Sequence, residues 1–396
     1  MEEIVQGLFE EGALIRNGKV RLARPLDTFQ IPLGVQAMLA ARIDRLPADE
    51  KQLLQTMAVL GKEFRLGHPR ATAAKSDEEL ERALTDLQLG EFIYEQPAAG
   101  DIKFTVKHAL TQEVAYNSIL SELRKALHER AGEALEGLSA SQLDHHLDGL
   151  ARHYSRNGNL EKAAEYLRLA GLQAASRGAF SQAISLLNEA LELLRKLPGD
   201  QHTLGEELAT HIGLTTTLVD YQGPRFLTEI ESSALRARAI ASQLGDYDAL
   251  LQALQVLRLF SEFRRENRQA RLHAEEALAT AQAHRPEAVA MAHFALGETV
   301  LFIGEFEQAL HHYRQAQSSG KAVKVILGAD ARPGILAESA LVLWILGHPA
   351  QATDLSRQAL PLARSNGNAH LILVVLWMSG LLHQRSGDFK NTMKEA

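Results

Sequence analysis

A glycine followed five and twelve residues later by alanine recurs along this chain, and the pattern leaves few folds open. In NGNLEKAAEYLRLA the set is Gly158, Ala163 and Ala170, and in RGAFSQAISLLNEA it is Gly178, Ala183 and Ala190. IGEFEQALHHYRQA repeats it at Gly304, Ala309 and Ala316, and LGHPAQATDLSRQA at Gly347, Ala352 and Ala359. RENRQARLHAEEA keeps the alanines, Ala270 and Ala277, but puts Arg265 in the glycine slot. The anchors at 265, 304, 347 and 387 fall about 40 residues apart, a spacing suited to pairs of helices. A glycine ends one helix, and small alanines on the next let a neighbour approach closely. Each pair then buries its apolar stripe against the following pair. The spacing exceeds the roughly 34 residues of a tetratricopeptide (TPR) repeat, which predicts longer, irregular relatives of that unit over 148–396. Within them Tyr166, Leu167, Leu186, Leu187, Phe306, Tyr313, Trp344 and Trp377 read as core. The last register opens at Gly387 and the sequence stops at Ala396, so the array is expected to be incomplete there.

Residues 32–125 follow a different rule. PLGVQAMLAARIDRL starts with a proline and spaces its apolar residues by three and four, and ADEKQLLQTMAVLG does the same before a glycine. SDEELERALTDLQLG opens with a capping box, Ser76 with Glu79. FIYEQ and IKFTV then flank the turn-forming PAAGD. Three helices followed by a β-hairpin predict a winged helix. The fold expected for the whole chain is therefore mainly α, a winged-helix domain followed by TPR-like helical repeats. Ahead of it, MEEIVQGLFEEGALIRNG reads as an amphipathic helix and turn without a core of its own.

At 396 residues the chain is too long for one core. With 46% hydrophobic and 23% charged residues and 11 prolines it has the composition of an ordered protein. A net charge of −7 argues against general nucleic-acid binding, which uses a basic face. The helix ahead of the wing carries Asp77, Glu78, Glu79, Glu81 and Asp86 against Arg82, so DNA phosphates would repel it. The absence of cysteine removes disulfides, thiolate metal sites and cysteine nucleophiles, and fits a reducing cytoplasm. The acidic start Met1-Glu2-Glu3 does not read as an export signal. The apolar run Leu371 to Leu382 is well short of the ~20 residues that span a bilayer and reads as a buried helix, so no membrane partner is expected.

The chemistry-bearing motifs are missing. No G-x-x-x-x-G-K-[ST] occurs to cradle nucleotide phosphates, and no H-E-x-x-H or G-x-S-x-G is present. DHHLDGLARH offers Asp144, His145, His146, Asp148 and His153, but on a helix the two aspartates share one face while His146 and His153 lie on another. Metal ligands must converge. A solvated, partly helical linker is the expectation there, with no metal and no catalytic residue in this chain. The stretch FTVKHALTQEVAY places His108 where a strand meets a helix, a junction at which helix N–H groups can face an anion.

Several stretches resemble one family. IPLGVQAMLAARIDRLPADEKQLLQTMAVLGKEF is similar to the segment that follows the nucleotide-binding module in signal-transduction ATPases with numerous domains, the STAND class. The likeness is to the bacterial branch in which the ATPase follows a class III adenylate or guanylate cyclase domain and precedes TPR-like repeats. FTVKHALTQEVAYNSIL, LARHYSRNGNLEKAAEYLRLAG and LGETVLFIGEFEQALHHYRQA look like the same branch, and MEEIVQGLFEEGAL resembles the end of the ATPase lid. The resemblance implies a lid remnant and linker at 1–31, a winged helix at 32–125, a connecting helix at 126–147 and repeats at 148–396. KHALTQEVA resembles the M-H-D motif whose histidine can touch bound diphosphate. It implies a nucleotide-sensing role for His108, preceded by Lys107, when an upstream ATPase is present; Ala109 stands where the motif has aspartate. ATP or ADP with Mg would belong to that parent protein and no cofactor to this chain.

The expected function is thus a non-catalytic regulatory scaffold. A protein partner or peptide would bind in the helical groove, and the winged helix would relay that event to an upstream nucleotide-binding module. One alternative is a piece of an adenylate or guanylate cyclase whose catalytic and ATPase domains lie upstream. The other is a winged-helix transcriptional regulator.

Overall fold

The computed structural model describes residues 14–17, 19–22, 35–61, 63–65, 76–98, 101–138, 143–222, 227–318, 330–366 and 369–387. The chain divides between Ala170 and Gly171 into two compact units. Residues 1–13 of the expected amphipathic helix, Pro32 at the expected helix start, and the last register beyond Gly387 lie outside the described residues.

The first unit mixes helices and strands. Strands β1 (Leu14–Asn17) and β2 (Lys19–Leu22) pair antiparallel, Leu14 opposite Leu22 and Asn17 opposite Lys19. Leu14–Asn17, inside the stretch read as helix and turn, is therefore a strand. The Asn17-Gly18 step is the residue pair that favours tight hairpins. Helices α1 (Val35–Asp44) and α2 (Ala48–Leu60) follow, then a short strand β3 (Glu63–Arg65) absent from the sequence reading. Helix α3 (Asp77–Leu89) carries the expected capping box, with the Glu79 N–H donating to the Ser76 Oγ at 3.3 Å and the Ser76 N–H donating to the Glu79 carboxylate at 3.1 Å. Such a cap contributes about 1 kcal/mol.

Strands β4 (Ile93–Ala98) and β5 (Asp101–Val106) form the hairpin, and β3 adds to the other edge of β5, giving the antiparallel order β3-β5-β4. Phe64 lies opposite Phe104, and Ile93 opposite Val106. Leu53, Leu54, Met57, Leu87 and Val106 are fully buried in the core under this sheet. Each large apolar side chain contributes about 1.5–3 kcal/mol by burial. Arg42 is buried as well; it donates to the Gly90 carbonyl at 3.0 Å and lies 4.8 Å over the Phe92 ring, tying α1 to the end of α3. Helices α4 (Ala109–Asn117), α5 (Ser121–Glu136) and α6 (Leu147–Asn157) complete this unit, and α7 (Leu160–Ser176) runs across the division.

In the second unit the described elements are helices apart from an isolated bridge residue, Asp330. They are α8 (Phe180–Leu194), α9 (Gln201–Gln222), α10 (Leu227–Leu244), α11 (Tyr247–Phe263), α12 (Asn267–His284), α13 (Val289–Ile303), α14 (Phe306–Ser318), α15 (Arg332–Ile345), α16 (Pro349–Asn366) and α17 (Ala369–Arg385). Successive helices pack on one another, and α15 also meets α17. Where α13 ends, Gly304 adopts φ 94° and the Glu305 N–H reaches back to the Val300 carbonyl at 2.9 Å. This left-handed closure suits glycine. Arg265 makes the same turn at φ 61°, and the Glu266 N–H bonds the Ser261 carbonyl at 2.8 Å. The geometry of the repeat, rather than the residue, dictates the conformation.

The apolar stretch Pro286–Ile303 is long and apolar enough to cross a membrane by length and composition. In this fold α13 packs against α12 and α14, with Phe294, Leu296 and Val300 in their shared core.

Candidate functional site

The repeat glycines lie at turns and the repeat alanines on buried helix faces. Gly158, Gly178, Gly304 and Gly347 all have positive φ at turns. Ala163, Ala170, Ala183, Ala190, Ala270, Ala277, Ala309, Ala316, Ala352 and Ala359 are all buried. These are packing positions. Closest of all is Gly297 on α13, where a Cβ would lie 2.5 Å from Cε1 of Tyr313 on α14. Of the residues read as core, Tyr166, Leu167, Leu187 and Tyr313 are buried, and Leu186, Phe306 and Trp344 are half-buried. Trp377 departs from that reading. It is 56% exposed, on a face of α17 it shares with the exposed Leu373 one turn away. The run Leu371 to Leu382 buries only the opposite face, at Leu371, Val375, Met378 and Leu382.

At the strand-to-helix junction, His108 occupies the N-cap position of α4 with extended backbone and makes no side-chain cap bond. The Lys107 ammonium is 2.7 Å from the Glu91 carboxylate, whose pKa is lowered by that hydrogen bond. The cation that would accompany His108 toward a nucleotide phosphate is thus held by an internal acid, a poor fit to that ligand.

Within the stretch read as a solvated, partly helical linker, Leu147–Asn157 is a helix, and His153 on it is buried rather than solvated. Its Nδ1 lies 2.9 Å from Nδ1 of His128, whose Nε2 is 3.0 Å from the Tyr116 hydroxyl. Burial, then Arg156, Arg152 and Arg124, pushes His128 down to about 4, so it is neutral near pH 7. Asp144, His145 and His146 lie outside that helix, and no group of three or more His, Cys, Asp or Glu among the described residues could hold a metal. Nearby, Glu136 accepts from Lys162 at 2.8 Å and from Tyr166 at 2.8 Å. Burial alone would raise the Glu136 pKa, but the bonds from Lys162, Tyr166 and Tyr154 outweigh it and hold the group below its ordinary value.

The second unit contains a polar network of another kind. Arg258 on α11 is 1% exposed, among the largest side chains buried completely. Its Nη1 bonds Glu262 at 2.7 Å and its Nη2 bonds Glu298 on α13 at 3.1 Å. Thr299 donates to Glu262 at 2.7 Å. One layer on, the Tyr313 hydroxyl donates to Glu338 on α15 at 2.6 Å, and Glu338 is 2% exposed. Burial, followed by repulsion from Glu298, pushes the Glu338 pKa well above its ordinary value of 4.5, against the pull of Tyr313 and Arg258. Burial likewise raises Glu298. A buried charge needs a partner, so burial favours the protonated form of Glu338, while Arg258 is bonded to both Glu262 and Glu298. Sequence reasoning missed this network. Its signal was a carboxylate inside an apolar helical run: Glu298 in VAMAHFALGETVLFI and Glu338 within ILAESALVLWI.

The two carboxylates around Arg258 are not wholly enclosed. Side-chain exposure is 15% for Glu262 and 25% for Glu298. One turn beyond Glu298 on the same face of α13 stands Phe302, 57% exposed; Phe263 on α11 is 67% exposed. Both phenylalanines lie two residues before their turns, at Arg265 and Gly304, so the repeat sets them at equivalent positions. Large apolar side chains exposed on ordered helices are a feature of interaction surfaces.

No family model matches the chain. An uncharacterized protein of Rhizobium meliloti is 27% identical over 159 residues, 40% of this chain and 15% of that protein. A STAND protein with a tetratricopeptide repeat sensor from Pyrococcus horikoshii aligns with 92% of this chain and 64% of its own length, at 12% identity and a TM-score of 0.38. A Rap conjugation regulator of the plasmid pLS20, solved in complex with the Phr* peptide, aligns with 89% of this chain and 84% of its own, at 14% identity and a TM-score of 0.43. The chain spans less than two thirds of the STAND structure and a small part of the Rhizobium protein. Apo RapI aligns with 83% of this chain and 82% of its own, at 12% identity and a TM-score of 0.52. That likeness is one of fold, and the fold is a TPR-like array of helical repeats.

Proposed function

We propose that this chain is a non-catalytic regulatory module that holds a protein segment against its helical repeats. The observation that carries the reading is the pair Phe263 and Phe302, 67% and 57% exposed at equivalent positions of successive repeats, beside Glu262 and Glu298. Large apolar side chains kept in water on ordered helices mark an interaction surface. The carboxylates favour a partner with basic residues flanking its apolar ones. That a peptide is bound by the pLS20 Rap regulator, itself a match to this chain, is consistent with such a partner.

The finer reading is the sensor and scaffold part of a STAND-type signalling ATPase. The order helix, strand, helix, hairpin with β5 between β3 and β4 supports a winged helix in the first unit. Partner binding would bias its packing on an upstream nucleotide-binding module and so shift a two-state equilibrium. Nucleotide chemistry would reside in that module.

Selection from a random phage-displayed peptide library on the full chain tests the proposal. Enriched peptides should bind the Phe263→Ser/Phe302→Ser double variant about tenfold more weakly or worse, the loss of about 1.4 kcal/mol that marks an energetic anchor. Equal binding to both proteins, or no enrichment, would overturn it. Tight ATP binding by calorimetry would remove the non-catalytic part.

A further inference from the structure

Away from the phenylalanine strip, α14, α15 and α16 enclose an open cleft of about 300 Å³. Its apolar lining is Leu310 and Leu343, both buried, and Leu355, half-buried. Ser339 lines it too, is 2% exposed, and its Oγ has no hydrogen-bond partner among the described residues. A helical serine ordinarily bonds a carbonyl one turn back. This hydroxyl does not, and a buried polar group left unmatched is costly. Around the opening stand Arg314, Gln317, Gln351 and Asp354. Asp354 is paired with Arg357 at 3.3 Å, and the exposed Arg314, Gln317 and Gln351 are the other polar groups of the rim.

These features specify an occupant. The volume is at the lower limit of ligand pockets, enough for one or two side chains and too small for a cofactor. The apolar lining suits an aliphatic side chain. The serine hydroxyl and the glutamine amides each donate and accept, as a peptide main chain does, and Arg314 suits carbonyl oxygens. We propose that this cleft is a second docking site, which takes a leucine-like side chain of an extended peptide segment and pairs that segment's main chain with Ser339, Gln317 and Gln351. The site shares no residue with the Phe263–Phe302 strip, so each can fail alone.

The test uses the full chain with ¹³C-labelled leucine methyls, titrated with N-acetyl-leucine N-methylamide, and N-acetyl-glycine N-methylamide as the comparison probe. Saturable shifts at Leu310, Leu343 and Leu355 are expected in the millimolar range, with none from the glycine compound. Ser339→Ala and Gln351→Ala, with methyl spectra otherwise unchanged, should each weaken binding about threefold or more. Absence of shifts, equal shifts from the glycine compound, or variants that bind as well as the parent would overturn the proposal. So would a concentration-dependent dimer abolished by Arg314→Glu, because a second copy would then be the occupant.

Discussion

Each unit has a glycine that receives a tyrosine ring from the facing helix, yet the two tyrosines sit in opposite electrical surroundings. In the first, a Cβ on Gly132 would be 2.8 Å from Cζ of Tyr154, and Tyr154 stacks on Tyr166 at 5.7 Å. Its network has one acid, Glu136, answered by one base, Lys162, which is 40% exposed. In the second, Gly297 admits Tyr313, and Arg258 answers Glu262 and Glu298 while burial raises the pKa of Glu338. The same close-packing device therefore serves a charge-balanced joint in one unit and an acid-rich, proton-dependent one in the other. Helix approach alone does not set the electrostatics; the residues brought behind the ring do.

The widest separation between the two should come from removing the cation. Arg258→Ala leaves buried carboxylates unpaired and should cost about 3–5 kcal/mol, read from hydrogen exchange of α11–α15 and the urea midpoint. Lys162→Ala, screened by water, should cost about 1 kcal/mol or less. Equal losses would erase the distinction. Next, Gly297→Ala forces a methyl against the Tyr313 ring and should cost about 2–3 kcal/mol, with Gly132→Ala about 1–2, both by thermal denaturation.

Glu338→Gln sharpens the comparison through pH. Because the folded-state pKa is raised, the folded chain holds a proton that the unfolded chain releases above about 4.5. Stability therefore falls as pH rises from there toward the folded pKa. Glutamine keeps an acceptor for Tyr313 without that proton, so the variant should be about 1 kcal/mol more stable than the parent at pH 8, with the gain vanishing near pH 4. A pH-independent difference would place the charge elsewhere. The smallest effect is Arg265→Gly, which relieves a left-handed arginine and should stabilise by about 0.5–1 kcal/mol in the same melts.

What the sequence made legible was local. Ser76 and Glu79 cap a helix because both partners lie within one turn, and the repeat alanines are buried because their spacing alone sets their face. Even Arg265 was placed correctly in a glycine slot. Strand β3 was missed because Glu63–Arg65 is too short for an alternation signal and exists only by pairing with residues around 104. Strand β1 fell inside the stretch read as an amphipathic helix and turn because a short alternating run and a helical stripe share apolar positions. The Arg258 network was invisible for a stronger reason. Whether a charge is buried depends on how four helices spread over some 80 residues register against one another, and no window of sequence contains that. Trp377 was misread because hydrophobicity reports a preference for burial, while exposure is decided by whether a neighbour is present.

The apolar stretch Pro286–Ile303 has a consequence during synthesis. When the ribosome has delivered it, α12 is already outside but Phe306–Ser318 is still in the exit tunnel, so one flank of the stretch is bare. At about 5–20 residues per second the covering helix follows within seconds. Over that interval the apolar flank that α14 later covers is open to any other apolar surface within reach, so the order in which α13 and α14 emerge sets how long it stays uncovered.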